Sequence, residues 1–313
     1  NYLRNNDMNV VVTSPSFSKN KNLQDEIFKY FPNAILNLEG IRFNQVELIE
    51  YIKNADAAIV GLEMINEDVL NKCKNLKIIA KYGVGLNNID LENCRERNVA
   101  VGWTGGVNKL SVAEMTLGFM LMSTRNLYAT SNELKNNIWN KSGGFQLSGK
   151  NVGIIGLGYT GKELVRLLKP FGCKILVNDI INQDRYCKEN NLKETSKEQI
   201  FKTSDIVTIH TPYNHTTNNM IDIEVLKSMR NSAYIINTSR GGIVNEADLK
   251  HALQNNIILG AAIDVYLEEP PTDQEFLKLP NLICTPHIGG NAKEAVEAMG
   301  ISAIEHLKQY YNL

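Results

Sequence analysis

Three stretches in the second half of this chain each place a chemically capable side chain just past a run of strand-forming residues. "NTSRGG" (237–242) carries a guanidinium, "AAIDVYLEEP" (261–270) carries carboxylates, and "TPHIGG" (285–290) carries an imidazole. Ligands of open parallel α/β sheets bind beyond the carboxyl ends of the strands, so the three groups are expected to share one rim. A guanidinium grips oxyanions through charge-assisted hydrogen bonds, and an imidazole held by an acid moves a proton. Together they suit a reaction at a carbonyl or hydroxyl carbon. Each has an alternative use: a lone histidine is by default a satisfied core residue, an arginine caps a helix, and a glutamate sits on a surface.

A fourth motif says what else is bound. "VGIIGLGYTGKELVRLL" (152–168) reads as a buried strand, a glycine turn and an amphipathic helix. Its glycines, Gly156, Gly158 and Gly161, form the G-x-G-x-x-G spacing of a dinucleotide site: one for the tight turn, one for backbone approach to a pyrophosphate, one for close packing of helix on strand. The helix amino end adds unpaired N–H groups and partial positive charge. Asp179, at the end of the following strand, is placed to bond the adenosine ribose. Its charge disfavours a 2′-phosphate, and Ile180, Ile181 and Asn182 supply no cation, so NAD is expected over NADP.

Taken in order, "GLGYTG…ND", "NTSRGGIV", "AAIDVYLEEP" and "TPHIGG" resemble the NAD-dependent D-isomer-specific 2-hydroxyacid dehydrogenases, the group that includes 3-phosphoglycerate dehydrogenase-like enzymes. "KYGVGLNNIDL" and "SVAEMTLGFML" extend the resemblance over nearly the whole chain. It implies that Arg240, Glu269 and His287 are catalytic, and that alignment to the residue before Pro270 favours Glu269 over Glu268. Physically, Arg240 can hold a 2-oxo acid where lysine could not do so bidentately. His287 can exchange a proton with the substrate oxygen, and Glu269 can orient the ring. The resemblance also implies cofactor contacts from Tyr159, Thr160, Thr211, Thr238, Ser239, Arg240, Asp264, His287, Gly289 and Gly290, with Asp264 on the nicotinamide amide. Substrate contacts fall on Tyr82, Gly83, Val84, Gly85, Asn108 and Arg240. In the family two domains close over the substrate, and homodimers are formed. The 126–149 segment is the candidate for an exchanged arm.

The elements that must position these groups follow from patterning. Short Val/Ile-rich runs alternate with helical stretches, which argues for parallel sheets covered by helices. Strands are expected at 10–12, 57–60, 77–79 and 99–101, then at 152–155, 174–178, 205–209, 233–237, 259–263 and 282–284. Helices are expected at 44–52, 67–71, 105–125 and 293–310, and the polar stretch 126–149 reads as a linker or arm. The fold class is α/β: two doubly wound parallel-sheet domains, a Rossmann NAD-binding domain (105–289) inserted into a flavodoxin-like substrate domain (1–104 and 290–313).

Composition narrows the partners. The chain has 313 residues, 43% hydrophobic and 21% charged, with a formal net charge of −1. That is the make-up of a soluble globular protein with no electrostatic case for nucleic acid or an anionic membrane. No apolar run approaches the ~18 residues of a membrane span, and the polar opening 1–7 carries no signal-peptide pattern. Five scattered cysteines suggest free thiols in the cytoplasm and no metal site. The chain closes soon after its last helix, so no appended regulatory domain is expected. The substrate is the open point. Phosphoglycerate-specific relatives place arginine after the strand corresponding to 57–60, whereas "GLEMINED" (61–68) has Glu63. A carboxylate there suits a cationic or hydroxylated group better than a phosphate, although Lys81 or Arg125 could serve a phosphate. The alternative function is an NAD(H)-sensing scaffold of the same fold, a corepressor-like protein that binds without turnover.

Overall fold

The computed structural model describes residues 8–313, and the polar opening 1–7 lies outside the described residues. The chain forms two compact units, 8–108 with 291–313 and 109–290.

In the first unit, β1 (Val10–Val12), β2 (Ile35–Leu36), β3 (Ala57–Val60), β4 (Ile78–Lys81) and β5 (Ala100–Gly102) make one parallel sheet ordered β2-β1-β3-β4-β5. Between them run α1 (Pro15–Ser18), α2 (Lys21–Tyr30), α3 (Gln45–Ile52), α4 (Glu67–Lys72) and α5 (Leu91–Glu96). Every residue of β1, β3 and β4 is buried, as a sheet covered on both faces requires. Helix starts are fixed locally. Asn20 caps α2 through Leu23 N, and Asn44 with Glu47 forms a full capping box on α3. The last helix, Lys293–Tyr311, belongs to this unit, where Met299, Ala303, Ile304 and Leu307 join Val10, Val12, Phe17 and Leu23 in one core.

The second unit opens with α6 (Lys109–Thr124) and α7 (Leu127–Lys135). Then follow β6 (Asn151–Ile155), α8 (Tyr159–Leu168), β7 (Lys174–Asn178), α9 (Asp184–Asn190), β8 (Lys193–Glu194), α10 (Lys197–Thr203), β9 (Ile206–Ile209), α11 (Ile223–Ser228), β10 (Tyr234–Asn237), α12 (Glu246–Gln254), β11 (Gly260–Ile263), α13 (Gln274–Leu277) and β12 (Leu282–Cys284). The final helix of the chain is therefore α14. The strands form a seven-stranded parallel sheet, β12-β11-β10-β9-β6-β7-β8. Counted within the unit, this is the 3-2-1-4-5-6 dinucleotide-binding order with one further strand, and it reverses between β6 and β9.

The structure adds elements that hydrophobic patterning missed. β2 and β8 are two-residue edge strands with exposed positions, Ile35 in one and Lys193 and Glu194 in the other, so neither carries the longer apolar run of a buried strand. α7 lies inside the stretch read as a linker or arm and buries none of its residues. The long helix starts at Lys109, not 105, because 105–108 forms the turn before it.

Candidate active site

The glycine turn of the second unit sits where its sheet order reverses. Gly156 has φ +95°, and a Cβ there would lie 2.5 Å from the His210 carbonyl oxygen at the end of β9. Gly161 is equally constrained, its Cβ position 2.2 Å from Gly156 O. Gly158 differs: it caps α8 without a side-chain bond, and a Cβ there would meet nothing within 4 Å. Open space lies over the first turn of α8, beside exposed Tyr159 and half-buried Thr160. Across the same reversal, the Thr211 hydroxyl is buried with no hydrogen-bond partner in the structure. An uncapped helix start, room above it and an orphaned hydroxyl fit the phosphates of a dinucleotide.

Asp179 follows β7 and braces the turn, accepting from Leu157 N at 2.6 Å and Ile181 N at 2.8 Å. Each oxygen keeps a lone pair for a ribose hydroxyl. Ile180 is 98% exposed beside it, an apolar surface suited to an adenine ring that its residue type alone did not announce. Glu194 shares a hydrogen bond with Asp184, and that bond, with desolvation and the charges of Asp184 and Asp179, raises its carboxyl above the ordinary value.

At the far strand ends the three expected groups meet. His287 Nδ1 lies 2.9 and 2.7 Å from the two Glu269 oxygens, with the side chains 42% and 38% exposed. The pair is therefore open to a ligand, not locked in a core. Glu269 Oε1 also accepts from Tyr266 N at 3.1 Å. Arg240, half-buried, donates to Ser239 O at 2.7 Å. Burial lowers its guanidinium from the ordinary value, and the nearby Glu269 charge works against that shift. The arginine loop touches the glutamate loop directly: a Cβ on Gly241 would be 1.8 Å from Tyr266 O.

His287 occupies a left-handed backbone conformation, φ +53°, that costs a non-glycine residue about 1–3 kcal/mol. Asp264 holds it there. Its 1%-exposed carboxylate accepts from Thr285 Oγ1 (2.6 Å), Ile288 N (2.8 Å) and Gly289 N (2.7 Å). Gly289 fits this arrangement because a Cβ would press on Asp264 Oδ2 at 2.9 Å. Tyr266 OH adds a bond to Thr285 O at 2.9 Å, and Ser111 Oγ one to Gly289 O at 2.6 Å. Half-buried Gly290 ends the loop.

Two organisers escaped the sequence reading. Asn237 accepts from Ser239 N and Oγ and donates to Arg240 O, folding the arginine turn from within. Glu246 accepts from Leu267 N at 2.5 Å beside Glu269, and burial raises its carboxyl. Both lie within or just after "NTSRGGIVNEADL", a clue that only the three-dimensional turn explains. Thr238 is buried and bonded to Thr116 Oγ1 at 2.8 Å.

In the first unit, Tyr82–Gly85 follow β4. The Tyr82 ring is 8% exposed, packs edge-on against Phe17 at 5.7 Å and bonds through its hydroxyl to Ser16. Its phenol anchors the loop. Gly83, Val84 and Gly85 are half-buried, and their N–H groups find no acceptor among the described residues. Trp103 Nε1 donates to Val84 O at 2.9 Å. Asn108 ends the first unit, half-buried. Glu63 is committed locally, accepting from Thr13 Oγ1 and Gly61 N.

Comparison with known proteins agrees with this geometry. Residues 117–289 match the family model of the D-isomer-specific 2-hydroxyacid dehydrogenase NAD-binding domain. The chain is 36% identical over 272 residues to D-3-phosphoglycerate dehydrogenase of Methanocaldococcus jannaschii, covering 84% of this chain but 51% of that protein, about half its length. It is 33% identical over 296 residues to hydroxypyruvate reductase of Thermotoga maritima, covering 91% and 96%. Among solved structures, the NAD complex of Staphylococcus aureus formate dehydrogenase superimposes with TM-score 0.83 at 27% identity, over 97% and 96% of the two chains. The chain belongs to the D-isomer-specific 2-hydroxyacid dehydrogenase family.

Proposed function

We propose that this chain transfers a hydride between NAD and a small D-2-hydroxy acid or its 2-oxo partner, with 3-phosphoglycerate and related hydroxy acids inside the class. The observation that carries the reading is the exposed His287–Glu269 pair beside Arg240 at the strand ends of an NAD-binding unit. NAD, when bound, supplies the hydride donor or acceptor. Arg240 holds the substrate carboxylate and carbonyl oxygen. With Nδ1 turned to Glu269, His287 carries the exchanging proton on Nε2 and gives it to the carbonyl oxygen during reduction. Glu269 fixes the ring's orientation through the bond to Nδ1. Asp264 holds the histidine loop, and its remaining lone pairs serve the nicotinamide amide. Thr160, Thr211, Thr238 and Ser239 complete the cofactor contacts with Tyr159 and the turn glycines.

Residues 1–104 and 290–313 are assigned to the substrate and 105–289 to the cofactor. The free N–H groups of Gly83, Val84 and Gly85 receive a carboxylate, with Tyr82 and Asn108 in support. Asp179, Asp184 and Glu194 keep the ribose end negative, favouring NAD over NADP. Five unpaired cysteines support a cytoplasmic setting, and among the described residues no helix is long and apolar enough to cross a membrane. A homodimer joined through 126–149 is supported by the exposed Leu127, Leu134, Ile138, Trp139 and Phe145. Purified protein with NADH and a panel of 2-oxo acids tests the reading. Oxidation of NADH well above a His287→Ala control is expected, and no oxidation with any acid refutes it.

A further inference from the structure

The first unit's sheet reverses its order between β1 and β3, and in such sheets ligands collect beyond the strand ends at the reversal. The chain there reads "TSPS", 13–16. Ser14 Oγ lies 3.4 Å from Ser16 Oγ, and Ser16 Oγ lies 2.8 Å from Tyr82 OH. Across the reversal, Glu63 Oε2 accepts from Thr13 Oγ1 at 2.7 Å and from Gly61 N at 2.9 Å. A row of hydroxyls thus runs from the crevice to the loop whose backbone N–H groups stand free.

Hydrogen-bond capacity shows what this row can take. Three hydroxyls carry three protons, and the two links between them use two. Ser14 also accepts the Phe17 N–H. One O–H and several lone pairs remain, and Ser16 is the exposed member. Charge capacity points the same way. Lys81 is 4% exposed, its ammonium bonded to Gly61 O and Asn88 Oδ1. Lys19 extends over the Gly40 turn on the β2 side. Glu63 keeps a carboxylate at the crevice, so a phosphate meets like charge there. A methyl group leaves the hydroxyl row unanswered, and sites built to bond a hydroxyl discriminate against analogues that lack it.

We propose that Ser14, Ser16 and Tyr82 form a subsite for the substrate's tail that selects an uncharged, hydroxylated 2-oxo acid over both its unsubstituted and its phosphorylated counterparts. This rests on the dehydrogenase reading above. Ser16 is the specificity-determining residue, and Tyr82 orients its hydroxyl.

The test compares kcat/KM for hydroxypyruvate, pyruvate and phosphohydroxypyruvate with NADH. Hydroxypyruvate is expected to exceed each of the others about tenfold or more. Ser16→Ala and Tyr82→Phe lower the hydroxypyruvate-to-pyruvate ratio about tenfold, chiefly through KM, while Ser16→Thr keeps it. Phosphohydroxypyruvate used as well as hydroxypyruvate, or a ratio unmoved by both variants, overturns the subsite and leaves the dehydrogenase reading standing. If no oxo acid is reduced, the dehydrogenase reading falls, and binding decides on the subsite. In Trp139→Phe protein, Trp103 is the remaining indole, tied to the loop through Val84 O. Its fluorescence should report D-glycerate binding about tenfold tighter than D-lactate. Equal affinities, or no response to either, overturn the subsite.

Discussion

Arg240 reaches the strand-end rim with one hydrogen bond to its own loop and its remaining donors uncommitted among the described residues. Lysine offers a point charge on a flexible stem, not a planar fork, so Arg240→Lys should lower kcat/KM for the oxo acid about 100-fold, ~2.7 kcal/mol at 1.36 kcal/mol per decade. Steady-state kinetics at fixed NADH checks this, with the KM for NADH little changed. Asp264 is a sharper case. Asp264→Asn turns an acceptor-only carboxylate into a group whose amide must face either Ile288 N or the Gly289 N beside it. The left-handed His287 then loses part of its support, so kcat should fall at least tenfold and the thermal midpoint by a few degrees, measured by single-turnover reduction and melting. Residue type and order made Arg240, Glu269 and His287 legible, because each strand end carries its own motif. The use of Asp264 as the brace of the histidine loop was not legible. A carboxylate at a strand end looks the same in sequence whether it faces a ligand or a neighbouring loop.

Strands built on short apolar runs were read closely, as at Val10–Val12, Ala57–Val60 and Lys174–Asn178, because burial of their central residues on both faces leaves a continuous apolar signature. Edge strands β2 and β8 are two residues long and partly or wholly exposed, too short to leave such a signature. β9 shows what an element's end can hold. His210 follows it with its Nε2 2.9 Å from Thr208 Oγ1, and burial lowers its imidazole to about 4. Between pH 6.5 and 4 the unfolded chain binds this proton and the folded chain does not, so stability rises with pH across that window and is lost as pH falls. The loss between pH 7 and pH 5 should be about 2 kcal/mol. Urea unfolding at the two pH values measures it, and His210→Asn should flatten the difference by a comparable amount.

The two units explain why a phosphate-binding turn begins halfway along the chain: one βα series precedes it, and α14 returns to the core of that first series. Pattern alone could suggest this return, but only packing of Ala303, Ile304 and Leu307 beside Val10 and Phe17 fixes it. The 126–149 segment is the opposite case, with a helix that buries nothing and a neighbouring stretch in which Ile138 is 54% and Trp139 78% exposed. Water-facing side chains of this size, together with Leu127 and Leu134, gain about 25 cal/mol for each Å2 they bury against a second copy. An Ile138→Asp, Trp139→Asp protein places two carboxylates in that contact, where desolvation opposes assembly. Wild-type protein should sediment as a dimer at micromolar concentration and the double variant as a monomer with unchanged circular dichroism. A wild-type monomer, or a dimer indifferent to both charges, places the subunit contact elsewhere or removes it.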